Sequence, residues 1–99
     1  MENKFDIAHF VKVETIQSVT EQLVDREIMM RKTMHLSQKD LGVKSGVSYA
    51  SIRRFESIGE ISLNSLLKIA NALDCLEDFN SIFNEHMPMV KSLKDIIYD

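Results

Sequence analysis

Residues 36–56, LSQKDLGVKSGVSYASIRRFE, decide the fold of this 99-residue chain. Ser37 and Asp40 have the spacing of a capping box, in which two side chains satisfy free N–H groups at a helix start. Gly46 tolerates the left-handed backbone of a helix end, so this first helix stops just before it. Ser48 can then cap a second helix. The stretch therefore predicts two short helices joined by a glycine turn, a helix-turn-helix.

The flanking sequence predicts three further helices. Over residues 15–34 the apolar residues, among them Ile16 and Val19, keep helical spacing, and the helix can start at Thr15 or at Ser18. The other two predicted segments are a leucine-rich helix with one core-facing stripe and a short amphipathic helix, at 63–73 and 76–83. A loop is predicted between the helix-turn-helix and the leucine-rich helix, at 57–61.

A chain of this length supports one small domain and excludes large two-domain enzymes. One proline, three glycines and no tryptophan favour a mostly helical fold. The predicted architecture is all-α, with an N-terminal extension at 1–14, a helical domain at 15–85 and a C-terminal tail at 86–99. The first dozen residues fit a strand or a helix equally well.

Charge is distributed in blocks along the chain. The net charge is −3, yet residues 26–54 hold seven basic side chains against two acidic ones, between acidic flanks. Such a block indicates polyanion binding more directly than the total charge does. The alternative is that these basic residues share a solvated face without a partner.

Several segments in the same order resemble the Cro/lambda-repressor family, also called XRE-type helix-turn-helix proteins. They are LSQKDL (36–41), SGVS (45–48), IRRFE (52–56) and SLNSLLKIANAL (62–73). The resemblance covers residues 23–75 and implies a five-helix, lambda-repressor-like DNA-binding domain within residues 15–85. Two positions depart from the family: Gly42 stands where alanine is more common, and His35 where glycine is usual.

The resemblance also implies how DNA is bound. In this family the second helix of the motif lies in the major groove. The candidate base-contacting residues are Tyr49, Ala50, Arg53 and Arg54. Of these, Arg54 is the strongest candidate, because a guanidinium can bind O6 and N7 of guanine together. The alternatives to base contact are that both arginines are ordinary solvated residues and that Tyr49 shields the helix start.

Other residues match positions that orient such a domain. The candidate phosphate contacts are polar side chains near the two helix starts, namely Gln38, Lys39, Ser48 and Ser51. Arg31 and Glu56 match a pair that forms a structural salt bridge in the family.

The segments 53–70, 78–83 and 91–97 look like HipB-type antitoxins. Those regulators bind operators as dimers, repress their own operon and sit beside HipA-type kinase toxins. The resemblance thus implies a homodimeric repressor of a palindromic operator with a HipA-type toxin as partner. Two alternatives remain open: a stand-alone or phage-type regulator, and a protein-interaction module of the same fold that does not bind DNA. Overall acidity and six methionines favour the latter.

No catalytic, metal or cofactor site is expected. The three histidines share no ligand spacing with Cys75, and there is no glycine-rich phosphate loop. A single cysteine excludes an internal disulfide and fits a reducing compartment. The N-terminus lacks the apolar core of a signal peptide, and no apolar run approaches the ~20 residues of a membrane span. These features predict a cytoplasmic protein.

Overall fold

The computed structural model describes residues 13–84. Within that range the chain forms four α-helices, one 3-10 helix and no β-strand, which confirms the predicted all-α, five-helix architecture. In chain order these elements are α1 (Ile16–Thr33), α2 (Gln38–Ser45), α3 (Tyr49–Ile58), α4 (Leu63–Ala72) and the 3-10 helix (Leu76–Ser81). The ambiguous first dozen residues and the predicted tail at 86–99 lie outside the described residues.

Every α-helix begins after a hydroxyl side chain that accepts a backbone N–H of the first turn. These N-cap residues are Thr15, Ser37, Ser48 and Ser62. Thr15, rather than Ser18, caps α1, because Thr15 Oγ1 accepts the Ser18 N–H at 2.9 Å while Ser18 Oγ accepts the Thr15 N–H. Each cap stabilises its helix by about 1 kcal/mol. The helix starts predicted from Ser37 and Ser48 are therefore confirmed, and α1 takes the first of its two predicted starts.

The end of α3 differs from the prediction of a loop at 57–61. Ser57 and Ile58 belong to α3, because the left-handed residue that ends the helix is Gly59, with φ 77°. A Cβ on Gly59 would lie 2.3 Å from Thr20 Cγ2 of α1. Glycine is therefore required there on two grounds, backbone conformation and close approach to α1.

The α1–α2 turn keeps a left-handed residue although it contains no glycine. His35 has φ 59°, so a histidine adopts the conformation for which the related family usually has glycine. This costs about 1–2 kcal/mol relative to glycine. At Gly42 an added Cβ would lie 3.0 Å from the Val47 carbonyl oxygen, so the helix-turn-helix is closely packed at that point.

The core lies where α2, α3 and α4 meet. Four apolar residues of the helix-turn-helix are buried: Leu41, Val47, Ile52 and Phe55. Three of them, Leu41, Val47 and Ile52, pack with apolar residues at the end of α4, of which Ile69 and Leu73 are almost fully enclosed. The short 3-10 helix packs against α4. It ends at Ser81, earlier than the predicted segment 76–83, and Phe83 beyond it is 80% exposed.

Helix α1 presents a different face to the core from the one that its apolar residues predict. Ile16 is 88% exposed and Val19 is 49% exposed, whereas the buried positions are Val24, Glu27 and Arg31. These three have helical spacing, but two are charged. A pattern built on apolar residues alone is therefore wrong about the buried face of α1.

Candidate nucleic-acid interface

Helix α3 separates a buried face from an exposed one. Ile52 and Phe55 point into the core, since positions three apart lie on one side of a helix. The side chains predicted to contact bases are all exposed: Tyr49, Ala50, Arg53 and Arg54. The fold thus presents a small aromatic and basic surface along the first half of α3.

Tyr49 connects the starts of α2 and α3. The Lys39 ammonium lies 5.3 Å from the centre of the Tyr49 ring, and the Arg53 guanidinium carbon lies 5.5 Å from it. Each cation–π contact at an exposed site contributes about 0.5–1 kcal/mol. The aromatic ring therefore holds a predicted phosphate contact and a predicted base contact side by side, despite their like charge.

Arg54 takes a direction different from that of Arg53. Its Nη2 donates a hydrogen bond to Glu60 Oε1 at 2.5 Å, and both side chains are 62% exposed. An ion pair in that setting is worth about 0–1 kcal/mol, so it can open when a better acceptor is offered. Glu60 was not among the predicted site residues, because it lies beyond the Gly59 turn, where helical spacing gives no signal.

An open groove between α1 and α3 brings several predicted residues together. It is lined by the exposed Ala50, Arg53 and Arg54 and by the half-buried Gln38, and the buried Arg31 and Glu56 also line it. Lys32 lines the same groove and was missed from the sequence. The sequence could have indicated Lys32, because it is a basic residue next to Arg31 on α1.

Beneath the groove, Arg31 and Glu56 form a buried ion pair. Arg31 Nε and Nη2 donate to the two Glu56 carboxylate oxygens at 2.9 and 2.8 Å, and the side chains are only 9% and 5% exposed. Arg31 Nη1 also donates to the Leu36 carbonyl at 2.9 Å. Gln38 Nε2 donates to Glu56 Oε1 at 2.9 Å. One carboxylate therefore joins α1, α2 and α3, and a predicted phosphate contact is anchored to it.

The two glutamates of this buried network have pKa values shifted in opposite directions. Burial opposes the charge on Glu56, but hydrogen bonds from Arg31, Glu27 and Gln38 outweigh it and hold its pKa below the usual range. The hydrogen bond to Glu56 likewise raises the pKa of Arg31. For Glu27 the balance is reversed: burial, followed by the neighbouring Glu56, raises its pKa to about 8. Glu27 was missed from the sequence, although Val24, Glu27 and Arg31 share helical spacing.

Of the two serines predicted to contact phosphate, Ser48 caps α3 and Ser51 lies in its first turn. Ser48 Oγ accepts the Ser51 N–H at 3.1 Å and donates its own proton to Ser51 Oγ at 2.9 Å. Both hydroxyls thus lie beside the free N–H groups of a helix start, where the helix dipole favours an anion.

Among residues 13–84, no three histidine, cysteine or acidic side chains are grouped so that they could hold a metal ion. Across the same range, no helix has the length and apolarity needed to cross a membrane.

Comparison with known families identifies the class to which this fold and surface belong. A family model described as Helix-turn-helix matches residues 29–79, just over half of the chain. The chain belongs to that helix-turn-helix family, and the match supports a DNA-binding transcription regulator of the Cro/lambda-repressor type. Searches of curated proteins and of solved structures returned no significant match.

Proposed function

We propose that this protein is a cytoplasmic, sequence-specific repressor that inserts α3 into the major groove of its operator. The observation that carries the proposal is the exposed cluster at the start of α3, where Tyr49 holds Lys39 and Arg53 together. Arg54 stands free of the core beside it. Arginine and lysine contacts to phosphates supply affinity, and side chains on the outward face of α3 supply base contacts.

Each predicted residue has a distinct role in this proposal. Arg54 exchanges Glu60 for guanine, Arg53 and Tyr49 contact neighbouring bases, and Ala50 offers a methyl group to thymine. The residues that fix the domain on the phosphates are Gln38, Lys39, Ser48 and Ser51. Arg31 and Glu56 hold α1, α2 and α3 in the relative positions that these contacts need.

Selection of bound duplexes from random DNA at two salt concentrations tests the proposal. We expect one preferred sequence whose affinity falls steeply as salt rises, because phosphate contacts release counterions. A double variant, Arg53→Ala with Arg54→Ala, is expected to lose the sequence preference. Recovery of no preferred sequence at low salt would instead support a protein-interaction module that kept this fold.

The repressor acts as a homodimer in our proposal. One α3 contacts too few base pairs for operator-level affinity, and two-fold dimers place their helices about 34 Å apart along the duplex. The selected site is therefore expected to be palindromic. Sedimentation of the protein on that site should give two chains per duplex; one chain on an asymmetric site would contradict the dimer.

We further propose a HipB-type antitoxin role, with a HipA-type kinase toxin encoded beside it. The support is the resemblance of segments 53–70, 78–83 and 91–97. In this proposal the helical domain at 15–85 binds DNA, and the extension at 1–14 and the tail at 86–99 hold the dimer or the toxin. Deleting residues 88–99 is expected to preserve folding and DNA contact while weakening the dimer or toxin complex in co-purification from the native operon. Equal recovery of partner with both chains would remove the tail's role, and the absence of any toxin would favour a stand-alone regulator.

A further inference from the structure

Glu27 is the one buried acid of residues 13–84 whose carboxyl oxygens accept no hydrogen bond. The residue is 7% exposed, and neither oxygen meets a donor. An unpaired buried charge of this kind is costly, so the carboxyl group keeps its proton instead. The described part of the chain therefore contains a buried carboxyl group whose neutral form is favoured, beside the Arg31–Glu56 pair.

The surroundings of Glu27 connect it to that surface. On its own helix Arg31 lies one turn further along, and from α3 the Glu56 carboxylate faces it. Glu56 in turn accepts the side-chain amide of Gln38, the first residue of α2. Two other charged groups, Arg26 of α1 and Asp78 of the 3-10 helix, line the apolar groove that Glu27 also lines. Only one cation, Arg31, is thus hydrogen-bonded within the network, and Glu56 already neutralises it.

We propose that Glu27 is a positioning residue for Gln38, and that the proton on its carboxyl group links DNA binding to pH. In the neutral form, the Glu27 O–H faces Glu56, which keeps its carboxylate aligned with Gln38 and Arg31. Loss of the proton places two carboxylates beside one guanidinium. The resulting repulsion displaces Glu56, and Gln38 loses the partner that fixes it at the start of α2.

Bound DNA also favours the protonated form of Glu27 in this proposal. Phosphates bound at the start of α2 add negative charge near Gln38, which favours the neutral form of Glu27 further. The raised pKa of Glu27, about 8, places the transition within reach of ordinary solution conditions. Affinity for DNA is therefore expected to fall as pH rises through this range. Since one proton per domain is involved, the fall is at most about tenfold per pH unit for each domain.

The first experiment measures affinity for the selected duplex from pH 6.5 to 9.5 at fixed salt, an assay that rests on the proposed function. Wild-type affinity is expected to fall about threefold or more, whereas Glu27→Gln binds like the wild type at pH 6.5 and shows a flat profile. The control is Asp25→Asn, which removes an exposed acid from the same helix and is expected to keep the wild-type slope. A wild-type slope in Glu27→Gln would overturn the proposal.

The second measurement needs no DNA. The side-chain amide resonances of Gln38 are expected to shift with pH around 8 in the wild type and to stay constant in Glu27→Gln. A purely structural Glu27 would change the stability of the domain with pH and leave these resonances unmoved, which would overturn the positioning role. If no duplex binds at any pH, the proposed function fails, and the Gln38 titration decides the role of Glu27 independently.

Discussion

Two arginine–glutamate pairs serve the two sides of α3 in different ways. Arg31 and Glu56 join at 2.8 Å with side chains under 10% exposed, whereas Arg54 and Glu60 join at 2.5 Å with both side chains 62% exposed. The distances are similar, but the environments are not. Water screens the charges of the outer pair and competes for its hydrogen bond. The inner pair is shielded from water, and three further hydrogen bonds replace those that water would make.

The comparison indicates that the two pairs have different roles, and this division is as follows. The inner pair fixes α3 relative to α1 and α2, and removing one member would leave a buried charge behind. The outer pair costs little to open, so Arg54 can leave Glu60 for DNA. Three predictions test this division, and a fourth tests the buried acid beside the inner pair.

The largest effect is expected from Arg31→Ala. It leaves Glu56 buried without a cation, which costs about 3–5 kcal/mol in the free energy of unfolding. Urea denaturation followed by circular dichroism measures the loss. The matched control is Arg54→Ala, expected to change stability by less than about 0.5 kcal/mol. Similar losses in both variants would abolish the distinction between the pairs.

The second prediction concerns pH and the free energy of unfolding. Folding raises the pKa of Glu27 from 4.5 to about 8, so the folded state binds more protons than the unfolded chain between these values. The stability due to neutral Glu27 is fully present below pH 4.5 and is lost as pH rises through 8, by at most about 1.4 kcal/mol per pH unit.

The test is the difference between wild type and Glu27→Gln in urea denaturation at several pH values. Glu56 and Asp40 have lowered pKa values, so their stabilisation is lost as pH falls below the ordinary carboxyl range. Both variants share that acid loss. A constant difference between them from pH 5 to 8 would show that Glu27 is ionised in the folded protein.

The third prediction concerns the outer side of α3. Arg54→Ala is expected to cost roughly 1–3 kcal/mol on the preferred duplex and to relax specificity at one base pair. Lys39→Ala should weaken all sequences alike and reduce the salt slope by about one unit. Fluorescence anisotropy on matched and mismatched duplexes separates the two effects. Unchanged affinity of Arg54→Ala on the selected site would contradict its assignment to the groove.

The smallest effect is expected from Glu60→Gln. Because the Arg54–Glu60 pair is exposed, its removal should change the free energy of unfolding by less than about 0.5 kcal/mol. Thermal unfolding beside the isosteric Glu56→Gln, which disturbs the buried network, measures the contrast. A loss above 1 kcal/mol in Glu60→Gln would mean that the outer pair also supports the fold.

The sequence predicted most of the helix-turn-helix because its signals are local. A capping serine such as Ser37 and a left-handed glycine such as Gly46 act within one helical turn. The prediction of a loop at 57–61 ended α3 too early. The residue that terminates this helix is Gly59, through its left-handed backbone.

The parts that could not be predicted depend on contacts between distant residues. Glu27 became a buried acid because α1 turns its Val24–Arg31 face inward, against the indication of its apolar residues. Glu60 became the partner of Arg54 only after the chain reversed at Gly59. Charged residues in an amphipathic helix are ordinarily assigned to the surface, so a buried pair such as Arg31–Glu56 needs a family resemblance to be found.

The close contact of Gly59 with Thr20 has a consequence for redesign of the protein. It fixes where α3 ends, while the buried Ile52 and Phe55 fix its rotation about its own axis. The outward positions from Tyr49 to Arg54 carry few of the contacts that hold the domain together. Libraries that randomise those outward residues, with Gly59 and the buried residues kept, should therefore yield folded variants directed to new DNA sequences.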